Sequence, residues 1–177
     1  MRKTLLLFTT MALALLLASG MAWAATGAPT VVSTVPPNGA TGVDHAANIT
    51  AKFSEPMSRK SLGICDHCTS TTSSKTFYLL RGSFTAPSQT KNPPRFCTNT
   101  ATGATAPCPT PIPATVIYPS VAAGFNTAVL NPTSTLLPNT TYTAVVEGTA
   151  DGDYVAVTDT GGTPMATDYI FHFTTAP

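Results

Sequence analysis

The most constraining feature of this sequence is a series of short segments in which apolar and polar side chains alternate. In the segment 48–53, Ile49, Ala51 and Phe53 alternate with Thr50 and Lys52, and proline, glycine or asparagine bounds most such segments. A two-residue period places successive side chains on opposite faces of a strand, one buried and one solvated. The sequence therefore predicts a chain of short, half-buried strands.

Seven segments are predicted as strands: 30–35, 48–53, 75–81, 115–118, 125–130, 141–147 and 169–174. Charged residues make up 10% of the chain, too few to cover the wet faces of long amphipathic helices. Thr and Val suit strands, and 16 prolines and 12 glycines separate them. The prediction is an all-β, immunoglobulin-like two-sheet β-sandwich of about seven strands. Its expected core anchors are Phe53, Tyr142, Phe171 and Phe173.

The first 24 residues have the layout of a secretory signal peptide. Met1-Arg2-Lys3 is followed by an apolar run from 5 to 17 and then by Ala22-Trp23-Ala24. Small residues at that point predict cleavage after Ala24, with Ala25 as the alternative. The run is shorter than the roughly 20 apolar residues that a membrane span needs. We expect export of residues 25–177 as a single domain without a membrane span, to the periplasm, the cell surface or the medium.

The charge of the predicted mature chain is nearly balanced. Without Arg2 and Lys3, 7 basic and 8 acidic side chains remain. A nucleic-acid-binding domain carries a basic patch, and this sequence has none. The expected partner is therefore an unidentified protein or another component of the cell envelope.

Blocks near both ends of the chain resemble a known family. They are Pro29 to Ala40 with Ile49 to Met57 at the start, and Leu137 to Thr143, Val157 to Gly162 and Phe171 to Thr175 at the end. These blocks resemble the bacterial SbsA-type Ig-like domain, the Big_5 family. The resemblance implies a non-catalytic module of secreted or surface proteins. Tyr142 after Leu137-Pro138 also indicates a tyrosine corner, in which the hydroxyl bonds the preceding backbone.

The chain departs from the family pattern between Ser58 and Ala114, where it is longer. This insertion is rich in Thr, Ser, Pro and Asn, and such a composition is not expected to bury enough apolar surface to order itself. Because loops on a rigid scaffold often carry recognition, we predict that the insertion faces the partner. A smaller departure is the apparent insertion of Asp151-Gly152-Asp153.

The insertion contains all four cysteines: Cys65, Cys68, Cys97 and Cys108. In an exported chain they predict two disulfides, with three pairings open. We favour Cys65–Cys68 with Cys97–Cys108, because each pair closes a short loop. A redox role for the C-x-x-C motif is disfavoured, because no helix signal follows it. A four-cysteine zinc site is disfavoured by the ten-residue gap in the second pair.

The remaining side chains offer little catalytic chemistry. Glu55 and Glu147 are the two glutamates, and no G-x-S-x-G elbow is present. A glycosidase pair would need both carboxylates together, whereas Glu147 is predicted at a strand end on the solvent side. His172 alternates away from Phe171 and Phe173 and is expected on an exposed face. We therefore predict no enzyme, no catalytic residue and no cofactor.

Two metal hypotheses are weaker alternatives to a metal-free domain. The first is a calcium site formed by the carboxylates of Asp151, Asp153, Asp159 and Asp168, whose spacing is not that of an EF-hand. The second is a periplasmic copper carrier that resembles CopC-type proteins. Its only plausible ligands are scattered: His45, His67, His172, Met57 and Met165.

Overall fold

A computed structural model describes residues 27–64, 76–88, 96–118, 126–149 and 156–177. In these ranges the chain forms strands and no helix, and hence no helix that could cross a membrane. The strands are β1 (Val31–Val35), β2 (Ala40–Val43), β3 (Ile49–Phe53), β4 (Phe77–Arg81), β5 (Phe84–Ser88), β6 (Phe96–Asn99), β7 (Thr105–Pro107), β8 (Ala114–Ile117), β9 (Thr127–Pro132), β10 (Thr141–Val146) and β11 (Tyr169–Thr175).

The strands form two larger sheets and one small one. Sheet A has the order β1-β3-β9-β8 and is antiparallel throughout. Sheet B has the order β2-β11-β10-β4, in which β2 runs parallel to β11. A third antiparallel sheet, β5-β6-β7, is called the cap below. Sheets A and B have the strand arrangement of an immunoglobulin-like sandwich, which confirms the predicted fold class.

The main core lies between sheets A and B and contains the four aromatic anchors predicted from the sequence. Phe53, Tyr142, Phe171 and Phe173 are each at most 1% exposed. The rings of Tyr142 and Phe173 stack with their centroids 5.6 Å apart. Such side chains bury large apolar areas, and paired rings add a favourable contact. The alternation in the sequence therefore assigned the inward face of these strands correctly.

The first part of the chain contributes an edge strand to each larger sheet. β1 pairs with β3 in sheet A, and after Pro36-Pro37-Asn38-Gly39 the chain continues as β2 beside β11 in sheet B. Proline lacks a backbone N–H, so ladder pairing must stop there. Gly39 has a φ of +82°, and its N–H donates to the His172 carbonyl oxygen at 2.7 Å. The segment 36–39 thus carries the chain from the edge of sheet A to the edge of sheet B.

The predicted tyrosine corner is present before β10. The backbone N–H of Leu137 donates to the hydroxyl oxygen of Tyr142 at 2.8 Å, while the Tyr142 ring lies in the core. This bond satisfies a loop N–H beside a fully buried side chain. The corner thus fixes the approach of the 133–140 loop to β10.

The number of strands differs from the prediction. The seven predicted segments correspond to β1, β3, β4, β8, β9, β10 and β11, but β2 and the three cap strands were not predicted. The described part of the insertion is ordered and contains β4 and the cap. The cap packs against sheet B and carries the Cys97–Cys108 disulfide, which agrees with the prediction that its composition alone does not order it.

Candidate functional site

The cap covers the outer face of sheet B. A second apolar cluster contains Tyr78 and Leu80 from β4, Val145 from β10 and Cys97 from the cap, all at most 2% exposed. Phe84 and Ile170 pack against this cluster. Strand β4 is therefore buried on both faces, since Phe77 and Leu79 belong to the main core. The domain is a three-layer structure: sheet A, sheet B and the cap.

A glycine turn sends the chain from β4 onto this outer face. Gly82 has a φ of +117°, a region that residues with a Cβ rarely adopt. A Cβ at Gly82 would also lie 2.7 Å from the ring of Phe84. The Thr143 hydroxyl accepts the Phe84 N–H at 3.1 Å and donates to the Gly82 carbonyl oxygen at 2.7 Å. The first residue of the cap is thus attached to the middle of sheet B.

Strands β6 and β7 form a hairpin closed by an asparagine and a glycine. The side-chain oxygen of Asn99 accepts the N–H groups of Ala101 and Thr102 at 2.9 and 3.2 Å. Gly103, with a φ of +66°, donates its N–H to the Asn99 carbonyl oxygen at 2.8 Å. Asparagine and glycine commonly make turns in this way. This local turn chemistry was the signal in the sequence for a hairpin within the insertion.

A disulfide joins Cys97 on β6 to Cys108 just after β7, as the sequence predicted for this pair. The side chain of Cys97 is 2% exposed and lies against sheet B. The bond therefore links the end of the hairpin to the buried face of the cap. The other two cysteines, Cys65 and Cys68, lie outside the described residues, and the disulfide between them stays a prediction.

His172 lies on the predicted face of β11, but the cap partly covers that face. Its Nε2 is 2.8 Å from the carbonyl oxygen of Phe84, the first residue of the cap. Its backbone N–H donates to the side-chain oxygen of Asn38 at 2.9 Å. The histidine contacts the cap rather than standing in open solvent, so the expectation of an exposed residue is corrected to a half-buried one.

The prediction that Glu147 faces solvent is wrong. Its side chain is 0% exposed, and its backbone N–H donates to the Thr76 carbonyl oxygen at 2.8 Å. Alternation along β10 predicts the face on which a side chain lies but not whether other residues cover it, and here the side chain is covered. Glu55 is half-buried and follows β3 in sheet A, whereas Glu147 follows β10 in sheet B. The two glutamates therefore extend from different sheets.

The described aspartates of the predicted calcium cluster serve separate backbone contacts. Asp159 is buried, and its carboxylate accepts the Thr163 N–H at 2.8 Å. Burial tends to raise the pKa of Asp159, but hydrogen bonds from Thr163, Gly161 and Gly162 outweigh it, so its pKa is lowered. Asp168 accepts the Gly148 N–H at 2.6 Å. Both carboxylates thus stabilise loops.

The other two aspartates of that cluster, Asp151 and Asp153, lie outside the described residues. In the described part of the chain, no group of three His, Cys, Asp or Glu side chains could hold a metal ion. Met57 and Met165 are both buried in the main core, and His67 is not described. His45 bonds the Ala176 carbonyl oxygen through Nε2 at 2.9 Å, whereas His172 contacts the cap. Of these copper-ligand candidates, the two described histidines contact different parts of the fold.

The outward side of the cap is the part of the insertion that a partner could reach. Strand β7 is exposed along its length, and Phe96 on β6 is 37% exposed. Binding surfaces commonly combine such exposed side chains with a rigid support. The arrangement offers a pinned, partly apolar surface beside a sandwich in which His45, Asp159 and Asp168 hydrogen-bond to backbone groups.

The geometry defines an immunoglobulin-like β-sandwich with an added cap. The family model of the bacterial Ig-like domain matches residues 25–175, and the chain belongs to this family. A comparison with curated proteins gives no match.

Three solved structures that resemble the chain are of the surface-layer protein SbsC. The N-terminal part of the bacterial S-layer protein SbsC is 17% identical, with a TM-score of 0.42, covering 86% of this chain and 24% of that one. Domains 1–6 of the surface layer protein SbsC give the same identity and TM-score, covering 86% of this chain and 14% of that one. The chain thus spans a quarter or less of these proteins.

Proposed function

We propose that this chain is an exported, non-catalytic Ig-like module that acts as a rigid spacer and binds a protein or another component of the cell envelope through its cap. The family assignment supports the modular, non-enzymatic part of this proposal. The expected compartment is the cell surface, the periplasm or the medium.

The observation that carries the proposal is the Cys97–Cys108 disulfide within the cap. Disulfides persist in oxidising compartments outside the cytoplasm, and they hold small structures that lack a large core. Here the bond stabilises a three-stranded sheet whose inner side is buried on sheet B and whose outer strand is exposed. A stable, exposed sheet of this kind supports recognition better than catalysis.

The test is capture of partners from an envelope extract of the host with immobilised mature chain. Phe96→Asn changes the exposed side of the cap, and Ile117→Asn makes a matched change on β8, where Ile117 is 56% exposed. We expect Phe96→Asn to reduce capture of a specific partner and Ile117→Asn to leave it unchanged. The reverse pattern would place the contact on sheet A and contradict recognition by the cap.

A further inference from the structure

A groove of about 690 Å³ lies beside the cap, at one end of the sandwich. One wall is the proline segment 109–113, which follows the cap, and the other is the loop 134–137 between β9 and β10. Tyr142 and Arg81 also line it. Pockets for small molecules typically have volumes of about 300–1,000 Å³ and largely apolar walls. The groove therefore has the size of a small-molecule site.

Backbone hydrogen bonds hold both walls in place. The Ile112 N–H donates to the Leu79 carbonyl oxygen at 2.8 Å, which ties the proline segment to β4. The Thr133 N–H donates to the Pro113 carbonyl oxygen at 2.9 Å, which ties the two walls together. Proline at 109, 111 and 113 fixes φ at alternate positions. A ligand would meet walls that are already ordered, which lowers the entropic cost of binding.

The groove contains one cationic side chain in mostly apolar surroundings. Arg81 pairs with Tyr142 in register, so the two side chains extend from the same face of sheet B. Arg81 is exposed, and within the described residues its guanidinium has no hydrogen-bonding or ionic partner. Apolar atoms of Pro109, Ile112 and Leu137 lie along the same groove. A guanidinium presents a planar fork of donors that matches a carboxylate.

We propose that this groove binds a small amphipathic carboxylate, with the anionic group on Arg81 and the apolar body against Ile112, Leu136 and Leu137. Charge complementarity selects the anion, and the apolar lining selects its body. This inference goes beyond the proposed function, because it concerns a small molecule and a groove between the 109–113 and 134–137 segments, which the cap borders only at Phe84 and Pro107.

The test is a titration of the mature chain with 4-phenylbutyrate, followed by calorimetry and by amide NMR shifts. Two matched probes are used: 4-phenylbutanol lacks the charge, and acetate lacks the apolar body. We expect binding of 4-phenylbutyrate with shifts confined to residues around the groove, and affinity that falls as salt increases. Equal affinity for the alcohol, or shifts located elsewhere, would overturn the proposal.

Two variants and one control make the test specific. Arg81→Gln should weaken 4-phenylbutyrate about tenfold, as expected for loss of one charged contact in an exposed groove. Thr110→Trp, which places a ring at an exposed position of the proline wall, should abolish binding. Lys52→Gln removes an exposed cation from sheet A and should leave affinity unchanged. If neither groove variant weakens binding, the site is wrong.

The same probes separate this inference from the proposed function. Phe96→Asn lies on the exposed side of the cap and should not change 4-phenylbutyrate affinity, even where it reduces capture of an envelope partner. If an acidic peptide shifts the amide NMR signals of the groove residues and 4-phenylbutyrate does not, the result would contradict a small-molecule ligand.

Discussion

The hydroxyl oxygen of Thr143, in the middle of sheet B, accepts the backbone N–H of Phe84, the first residue of the cap, at 3.1 Å. The same hydroxyl donates to the carbonyl oxygen of Gly82 at 2.7 Å. Thr143 is 0% exposed, so both bonds lie beneath the cap. One buried side chain thus satisfies the two backbone groups at which the chain turns onto sheet B.

Thr143→Val should destabilise the domain by about 1–3 kcal/mol, because it leaves a partly buried N–H and a partly buried carbonyl without their partner. Valine keeps the shape of the side chain, so packing changes little. Urea unfolding followed by fluorescence gives the measurement. Thr50→Val, on the outer face of sheet A, is the control and should change stability by less than about 0.5 kcal/mol. Equal effects of the two substitutions would contradict the anchoring role.

The sequence predicted the strands of the sandwich because their inward side chains repeat every two residues. In β11, Phe171 and Phe173 alternate with Ile170 and His172, and the structure buries the two phenylalanines. β2 was not predicted, because Ala40–Val43 has only half-buried or exposed residues. Its pairing with β11 depends on contacts with a strand that is distant in sequence, and the residues of β2 themselves show no alternating pattern.

Alternation predicts on which face a side chain lies, but not what covers that face. Glu147 was predicted on the solvent side of a strand end, yet its side chain is 0% exposed. The signal for a cover was present in β4, where Phe77, Tyr78, Leu79 and Leu80 form a continuous apolar run. Such a run is typical of a strand buried on both faces.

The candidate site was only partly predictable. The Cys97–Cys108 pair followed from loop length, but the cap strands did not, since their apolar contacts with sheet B are distant in sequence. The groove at Arg81 depends on two loops and the end of β4 meeting at one place. No local pattern encodes that meeting.

Truncation of a core ring tests the assignment of the two faces of β11. Phe171→Ala should cost about 3–5 kcal/mol of stability, as large buried aromatic side chains do. Val35→Ala, at a position that is 60% exposed, is the control and should cost under about 0.5 kcal/mol. Chemical denaturation of both variants is the measurement. A cost below about 1 kcal/mol for Phe171→Ala would mean that the ring is not a core anchor.

Export predicts loss of the first 24 or 25 residues. We expect the basic start, the apolar run and Ala22-Trp23-Ala24 to direct cleavage at that point. Intact mass of the protein recovered from the envelope or medium of its host is the measurement. Ala24→Leu, which puts a large side chain next to the cleavage site, should slow processing. Mature protein that retains Met1 would contradict export by this route.

Asp159 gives a pH-dependent contribution to stability with a defined sign. Its lowered pKa means that folding favours the carboxylate, so its contribution is full above the ordinary aspartate pKa of about 3.9. The contribution is lost as the pH falls through the folded-state pKa, which lies below that value. Asp159→Asn keeps an acceptor for Thr163 but does not titrate. The stability difference between the two proteins should be constant near neutral pH and should narrow in acid; a constant difference down to pH 2 would contradict it.

The cap should depend on its disulfide more than the sandwich does. Cys97 and Cys108 close a short loop, and in a model-dependent estimate such a loop is worth about 2–3 kcal/mol. In Cys97→Ala/Cys108→Ala, the apolar contacts of Phe84 and Ile170 remain, but the hairpin can separate from sheet B at lower cost. In this double variant we therefore expect amide hydrogen exchange to become faster in β6 and β7, with a smaller increase in β3 and β10.

Peptide mapping under non-reducing conditions is the accompanying measurement, and it should find Cys97 joined to Cys108 and Cys65 joined to Cys68. Cys65→Ala/Cys68→Ala is the matched control: because the Cys97–Cys108 link persists, exchange in β6 and β7 should stay slow. If the Cys97→Ala/Cys108→Ala protein showed unchanged exchange in the hairpin, contacts with Tyr78, Leu80 and Val145 would suffice to hold the cap. If exchange rose equally in all three sheets, the cap and the sandwich would unfold as one unit, and the disulfide would stabilise the whole domain.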